Sequence, residues 1–440
     1  MTRHMHLGVF VLGTGNHVAG WRCPGAYDSF ESLQVAQSIA RTAERGLFDL
    51  LFLGDGLAAD PGSHPSFTTR LEPLTMLAAL AATTTHVGLG ATASTTYSDP
   101  FTVARAFASL DHISNGRAAW NAVTSSNPDG AGNFGRTHPP HAERYAVAEE
   151  FVDVVRGLWD CWEDGAVVRD RATGQYLDPA RIHPLNHKGR YFEVRGPLNT
   201  SRTPQGRPVV IQAGASDAGL ALAARTADVV FAVAHDLTEA QTAYSALKSR
   251  MPAFGRDPAT LAVLPGVMPI LGGTLAEARR TLDELQSYVS PANALRMLSM
   301  RLGTDMAAYE LDAPVPDLPL PDTSHGFAQS MLSKARRDGL TLRDLLNLTG
   351  AARGHWVLPG TPETVADTLE TWFTQGAADG FNILPATFPQ GFDAFVDEVV
   401  PILQRRGLFR TAYRGTTLRD HLGLVRPRAP EGSVSGCVEC

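Results

Sequence analysis

The chain of 440 residues has little cysteine and little charge. Of its four cysteines, Cys437 and Cys440 fall at the very end, leaving Cys23 and Cys161 in the body. Two such residues build no disulfide framework and fit a reducing, cytoplasmic setting. Charged residues make up 19% and the formal charge is −7, so the basic field that nucleic-acid binding needs is missing. No apolar run approaches the ~18 residues of a membrane span, and Leu7–Leu12 is too short even for a signal core. Neither G-x-S-x-G nor H-E-x-x-H occurs, which removes two common hydrolase signals. Metal-ligand spacing is also poor: His138-x-x-His141-x-Glu143 is interrupted by Pro139-Pro140 and lacks the i, i+4 pair of a helical site.

What is present is alternation. Short β-rich runs are Leu7–Leu12, Asp49–Leu53, Val87–Thr92, Ala118–Thr124, Val209–Ala213, Val229–Ala234, Leu261–Leu271 and Phe381–Pro385. Between and after them lie segments of helical period: Ser29–Arg45, Pro73–Thr84, Phe101–Ile113, Glu143–Cys161, Ser216–Thr226, Thr238–Arg250, Leu275–Val289 and Phe392–Arg405. This rhythm predicts an α/β fold, a (β/α)8 TIM barrel with insertions in the βα loops; an open doubly wound sheet has the same rhythm. Ser29 is expected to cap the first helix and Gly46 to stop it in the left-handed conformation.

Such a barrel needs only about 250 residues. One domain over residues 1–425 is expected, with the surplus in Gly165–Arg207 and Ser290–Thr361, both placed on the catalytic rim, and a disordered tail over 426–440.

Candidate site residues cluster where runs end. Asp55 follows Leu50–Leu53, where a barrel points side chains at its mouth. Thr92 and Ser94 offer hydroxyls after the third run. Asn121 is the amide in an apolar run, so it needs a partner, structural or ligand; Thr124 follows it. His141 and Tyr145, spaced i, i+4, present one helix face. Gly214-Ala215-Ser216 turns from a strand into a helix, an arrangement that can hold a phosphate or simply cap the helix. Gly13–Gly20 has four residues between its later glycines where the dinucleotide fingerprint has two, so it reads as a loop, in which His17 and Trp21 could face a ligand. Small neutral strand-end residues suit a cofactor that supplies the chemistry while the protein orients and dries it.

These phrases resemble a known family. Phe52-Leu-Gly-Asp55, Ala93-Ser-Thr-Thr-Tyr97, Gly116–Ser125, Asn133-Phe-Gly135, Glu143-Arg-Tyr145 and Gln212–Ser216 are similar to the two-component flavin monooxygenases of the bacterial luciferase superfamily. The branch is that of the nitrilotriacetate, long-chain alkane and dibenzothiophene sulfone monooxygenases. Glu44–Leu53, Gly88–Thr92 and Thr417–Gly423 look most like the sulfone enzymes.

The resemblance implies a TIM barrel that takes reduced FMN (FMNH2) from a separate NAD(P)H:flavin reductase and uses O2 as cosubstrate. A flavin peroxide, at C4a or N5, would then cleave a C–S, C–N or C–halogen bond of an aromatic sulfone or similar xenobiotic. It implies FMN contacts from Asp55, Thr92, Ser94, Asn121, Thr124, His141, Tyr145, Gly214, Ala215 and Ser216, and catalytic roles for Asn121, Thr92 and His17. Ser126 stands where some relatives carry histidine. Relatives are commonly dimers or tetramers, so a homo-oligomer is expected. Other readings are a monooxygenase of an aminopolycarboxylate or natural product, a deazaflavin-dependent oxidoreductase on the same barrel, and a non-catalytic flavin-binding protein.

Overall fold

The computed structural model describes residues 3–60, 64–321 and 325–428. Strands β1 (His6–Val11), β2 (Leu50–Leu53), β3 (Gly88–Ser94), β4 (Ala118–Val123), β5 (Val209–Gln212), β6 (Val229–Ala232) and β7 (Ala262–Leu271) run parallel in sequence order. After β8 (Trp356–Gly360) comes β9 (Gly380–Ile383), which pairs with β7 on one side and β1 on the other and so closes the barrel. Closure removes the doubly wound alternative. Strand β8 stands outside the ring, paired to the outer half of β7 from Val267 to Leu271.

Period-2 side-chain alternation builds the two cores. On β1, Leu7, Val9 and Val11 face the helices while Phe10 faces the barrel interior; on β2, Leu51 and Leu53 point out and Leu50 and Phe52 point in. Burying each such side chain contributes about 1.5–3 kcal/mol. The outward set packs on α1 (Leu33–Arg45), α2 (Pro73–Ala81), α3 (Pro100–Ile113) and α4 (His141–Trp159), through Ile39, Leu77, Phe107 and Phe151 among others.

Two local expectations are corrected. The cap of α1 is Ser32, whose hydroxyl accepts from Val35 N–H, whereas Ser29 accepts from Glu31 N–H one turn earlier. Gly46 has φ −80°, and the left-handed residue is Leu47 at φ 56°. Glycine still fits position 46, because a Cβ there would lie 2.9 Å from Val396 Cγ2 and 3.1 Å from the Phe48 ring, so those side chains would have to shift.

The two long insertions part company. Gly165–Arg207 follows α4 and leads into β5, so it is an αβ connection and lies at the N-terminal end of the barrel. There Gln205 Nε2 donates to Ala118 O at the start of β4, and none of the segment lines the main cavity. The expected rim position is therefore wrong for this segment, since helix-to-strand loops emerge opposite the active mouth.

The other insertion follows α7 (Leu275–Ser287) and folds as α8 (Pro291–Leu302), α9 (His325–Asp338) and α10 (Leu342–Ala352) around Leu298, Met331 and Leu345. It does reach the cavity. Helix α11 (Pro362–Thr374) then returns the chain to β9.

Arg426 and Pro427, assigned to the loose tail by sequence, are held in the fold: Arg426 pairs with Asp164, and Pro427 O accepts from Arg202. The rest of the expected tail, from 429 on and with the Cys437/Cys440 pair, lies outside the described residues. No described helix is long and apolar enough to cross a membrane.

Candidate active site

A cavity of about 470 Å³ opens at the C-terminal ends of the barrel strands. Its size suits an organic cofactor or drug-sized ligand. Phe10, Phe52 and Phe231 line it, with ring centroids 5.1 to 6.0 Å apart. They form an apolar floor made of inward-pointing strand residues.

On one wall, Thr92 of β3 and Asn121 of β4 are register partners. Asn121 Nδ2 donates to Thr92 Oγ1 at 2.9 Å, which leaves Asn121 Oδ1 buried with no partner among the described residues. Gln212 Nε2, at the end of β5, is likewise buried and unmatched. Orphaned buried polar atoms are costly, so both point to a ligand that completes them.

Ser94 lines the same wall but is largely committed: its hydroxyl accepts from Thr96 and Tyr97 N–H and from Ser125 Oγ. Thr124 offers its carbonyl to Arg144 and Thr96, fixing the loop that carries Ser126. Asp55 accepts from Gly56 N–H and sits 3.8 Å from Arg70. Burial pushes its carboxyl up, against the pull of that N–H and of Arg70.

The far end is a turn under two rings. His141 and Tyr145, at the start of α4, have centroids 4.8 Å apart, so the i, i+4 pair does share a face. Ser216 caps α5 (Asp217–Thr226), accepting from Gly219 N–H at 3.2 Å. A Cβ at Gly214 would lie 2.7 Å from Tyr145 Oη and 3.1 Å from Gly219 Cα. Glycine keeps the turn close under the tyrosine, beside the positive end of a helix dipole.

All ten residues expected to touch a cofactor line this one cavity. His17 and Trp21 do not line it. His17 is fully buried in the first βα loop, where Nδ1 accepts from Ala19 N–H and burial pushes its pKa down to about 4.

The sequence reading missed the wall supplied by the second insertion: Arg301 from α8, Ser330 from α9, and Arg353 and His355 just before β8. His355 stacks on Phe231 at 4.8 Å and 5°. Burial, with Arg353, His235 and Arg301 adding repulsion, keeps its imidazole neutral. The left-handed C-cap Arg353 before Gly354, followed by His355, was the available signal, but nothing local ties it to a cavity.

The luciferase-like monooxygenase family profile matches residues 5–379. The chain belongs to that family. Among luciferase-like monooxygenases it is 50% identical to the N-acetyl-S-(2-succino)cysteine monooxygenase of Bacillus subtilis (strain 168), over 97% of this chain and 98% of that one. It is 47% identical to nitrilotriacetate monooxygenase component A of Aminobacter aminovorans, again over 97% and 98%. A crystal structure of riboflavin lyase with modified FMN and substrate riboflavin superposes with a TM-score of 0.85, at 30% identity and 96% coverage of both chains. The chain is thus a flavin-dependent enzyme of the luciferase-like monooxygenase type.

Proposed function

We propose that the chain is the oxygenase component of a two-component system, which receives reduced FMN from a separate NAD(P)H:flavin reductase and uses O2 to oxygenate and cleave a small organic substrate. The observation that carries this is the cavity wall itself. The orphaned Asn121 Oδ1 and Gln212 Nε2 lie along the same cavity as the Gly214–Ser216 turn. That suits a ligand with a polar ring edge and a phosphate tail. A relative solved with modified FMN and one named as a component A support the same reading.

The residues fit FMN. Gly214, Ala215 and Ser216, with Tyr145 above them, would hold the phosphate through turn N–H groups and hydroxyls. Asn121 would accept from a ring N–H while Thr92, already accepting from Asn121, is left with its hydroxyl proton to donate. When bound, reduced FMN supplies the electrons that activate O2. Thr92 and the amide of Gln212 are donors available for developing negative charge at the reacting centre. Phe10, Phe52, Phe231 and the insertion wall keep water out. Ser126 brings a hydroxyl to the cavity and no base, so His355 is the neutral imidazole in reach of a ligand on the insertion side.

For the substrate, the sequence favours an aromatic sulfone or similar xenobiotic, with an aminopolycarboxylate or a natural product as the alternative. The two relatives named for N-acetyl-S-(2-succino)cysteine and nitrilotriacetate support the carboxylate-bearing side of that choice. The test is to supply enzymatically reduced FMN with O2 and a substrate panel, and to repeat it with reduced deazaflavin. Product that needs FMNH2 and O2 together supports the proposal. Turnover with deazaflavin and no O2 use selects the oxidoreductase reading instead.

A further inference from the structure

We infer that the barrel carries a second ligand site at its N-terminal end, a pocket of about 220 Å³ that takes a phosphate-class dianion between Arg156, Arg207, Arg256 and Arg419. It lies at the opposite end from the Asn121 cavity and does not rest on the flavin reading. Its wall residues come just before strands: Arg207 and Pro208 before β5, Asp228 before β6 and Thr260 before β7. Strand starts mark the face of a barrel that serves stability and not chemistry.

Four guanidinium groups share two carboxylates there. Asp228 accepts from Arg419, at 3.0 Å, and from Val210 N–H. Asp160 accepts from Arg207 and also serves Arg202. Arg256 is spent on the end of α5, donating to Ala224 O at 2.8 Å and to Ala227 O. Arg156, on the last turn of α4, lines the pocket half-buried and makes no hydrogen bond or ion pair with any described residue. Burial, and then Arg207, pull its pKa down to about 10; Arg256 adds to this, against Asp228 and Asp160. A guanidinium brings five donors, and partly burying it among like charges is costly until an anion meets it.

The chemistry of the wall selects the ligand. The chain as a whole carries −7, so this cluster is a local reversal of sign, and such a field draws anions in. Its guanidinium groups come from four separate segments: α4, the chain before β5, the chain before β7 and the short helix Leu418–His421. A tetrahedral oxyanion offers oxygens in several directions and suits such a set, whereas a carboxylate offers one plane. Two negative charges match the excess of arginine over aspartate. Leu424, Val425 and Pro427 supply an apolar side, which suits the small organic part of a phosphate monoester. A bound dianion would tie this C-terminal strap to α4 and to the strand starts, so its effect falls on stability.

The test is calorimetric titration of the full chain with inorganic phosphate and with glycerol 3-phosphate, at fixed ionic strength and with chloride as the reference anion. The Gly214–Ser216 turn is a competing phosphate site, so Ser216→Ala is titrated beside the native protein. We expect one site per chain that weakens at least about tenfold in Arg156→Met and stays within about twofold in Ser216→Ala. Arg156→Lys, which keeps the charge and loses the fork, should fall between. Tighter binding of the ester assigns the apolar side to an organic group; equal or tighter binding of phosphate assigns the site to the free ion. Thermal melts add a change of sign. In chloride, Arg156→Met should melt at or above the native protein, because it removes an unpaired cation. In phosphate the native protein should gain about 2 °C or more and the variant should not. If Arg156→Met does not fold, Arg156→Lys takes its place in both measurements. Binding of neither ligand overturns the inference. So does binding lost in Ser216→Ala and kept in Arg156→Met, or a phosphate shift of equal size in the native protein and the Arg156 variant.

Discussion

Asn121 and Thr92 face each other across adjacent parallel strands, and the one hydrogen bond between them, 2.9 Å long, leaves an amide oxygen buried without a partner. That single bond sets the polarity of the cavity wall: an acceptor from Asn121 beside a donor from Thr92. Asn121→Ala should lower turnover about 10- to 1,000-fold and divert more of the electrons of reduced flavin to hydrogen peroxide, leaving oxidised flavin. The initial rate of product formation measures the first and product formed per NADH consumed the second, and full coupling at unchanged turnover in the variant would contradict a catalytic role for Asn121.

Gly214→Ala drives a methyl to within 2.7 Å of Tyr145 Oη. FMN affinity should fall by about tenfold or more, read by quenching of flavin fluorescence. Riboflavin, which has no phosphate, should lose much less. Adding Tyr145→Phe removes the oxygen that the methyl meets and should restore part of the packing, although Gly219 Cα remains 3.1 Å away.

Acid should loosen the fold before its carboxylates titrate. Burial pushes His17 to about 4, His64 to about 3 and His421 to about 4. The unfolded chain holds these groups near 6.5, so between about 6.5 and 4 it binds more protons than the folded one. Stability from keeping them neutral is therefore complete above about 6.5 and declines as pH falls toward 4. Each contributes at most about 1.4 kcal/mol per pH unit in that window. A melting temperature unchanged between pH 7.5 and 5 would contradict this; a clear fall supports it.

Asp160 anchors the first insertion, Gly165–Arg207. Its carboxylate accepts from Arg202 Nη1 at 3.0 Å and from Arg207, all three being largely buried at the end away from the cavity. Asp160→Asn leaves two buried cations short of a countercharge and should cost about 3–5 kcal/mol of stability. FMN affinity should stay unchanged. A thermal melt beside a flavin titration separates the two, and a loss of flavin binding without a loss of stability would contradict the placement of Gly165–Arg207.

The barrel was legible because its strands alternate on a clean period of 2 and its helices on 3.6, so Val209–Gln212 and Asp217–Thr226 could be placed to within a residue or two. The flavin-side wall was legible for a related reason: Thr92, Asn121 and Ser216 sit at strand ends, which a barrel aims at one mouth. Arg301, Ser330, Arg353 and His355 were not legible. They lie in and just after a helical excursion of the chain, and tertiary packing around Leu298 and Met331 brings them to the cavity wall, where His355 stacks on Phe231. His17 misled in the opposite way. Its loop does leave the top of the barrel, but the peptide folds back under Pro385 and Ala386 and buries the ring. Gly165–Arg207 was misplaced by ignoring chain order, since a segment after a helix and before a strand belongs to the other end.

The proposed reaction is oxygenation at the Asn121 wall with electrons from reduced FMN. Its most direct test is turnover with enzymatically reduced FMN under 18O2, with carboxylated and neutral substrates offered together and products weighed by mass spectrometry. The proposed reaction puts one 18O atom in the product and forms no product when O2 or FMNH2 is withheld. Product formed without label, or formed with reduced deazaflavin in the absence of O2, would contradict it.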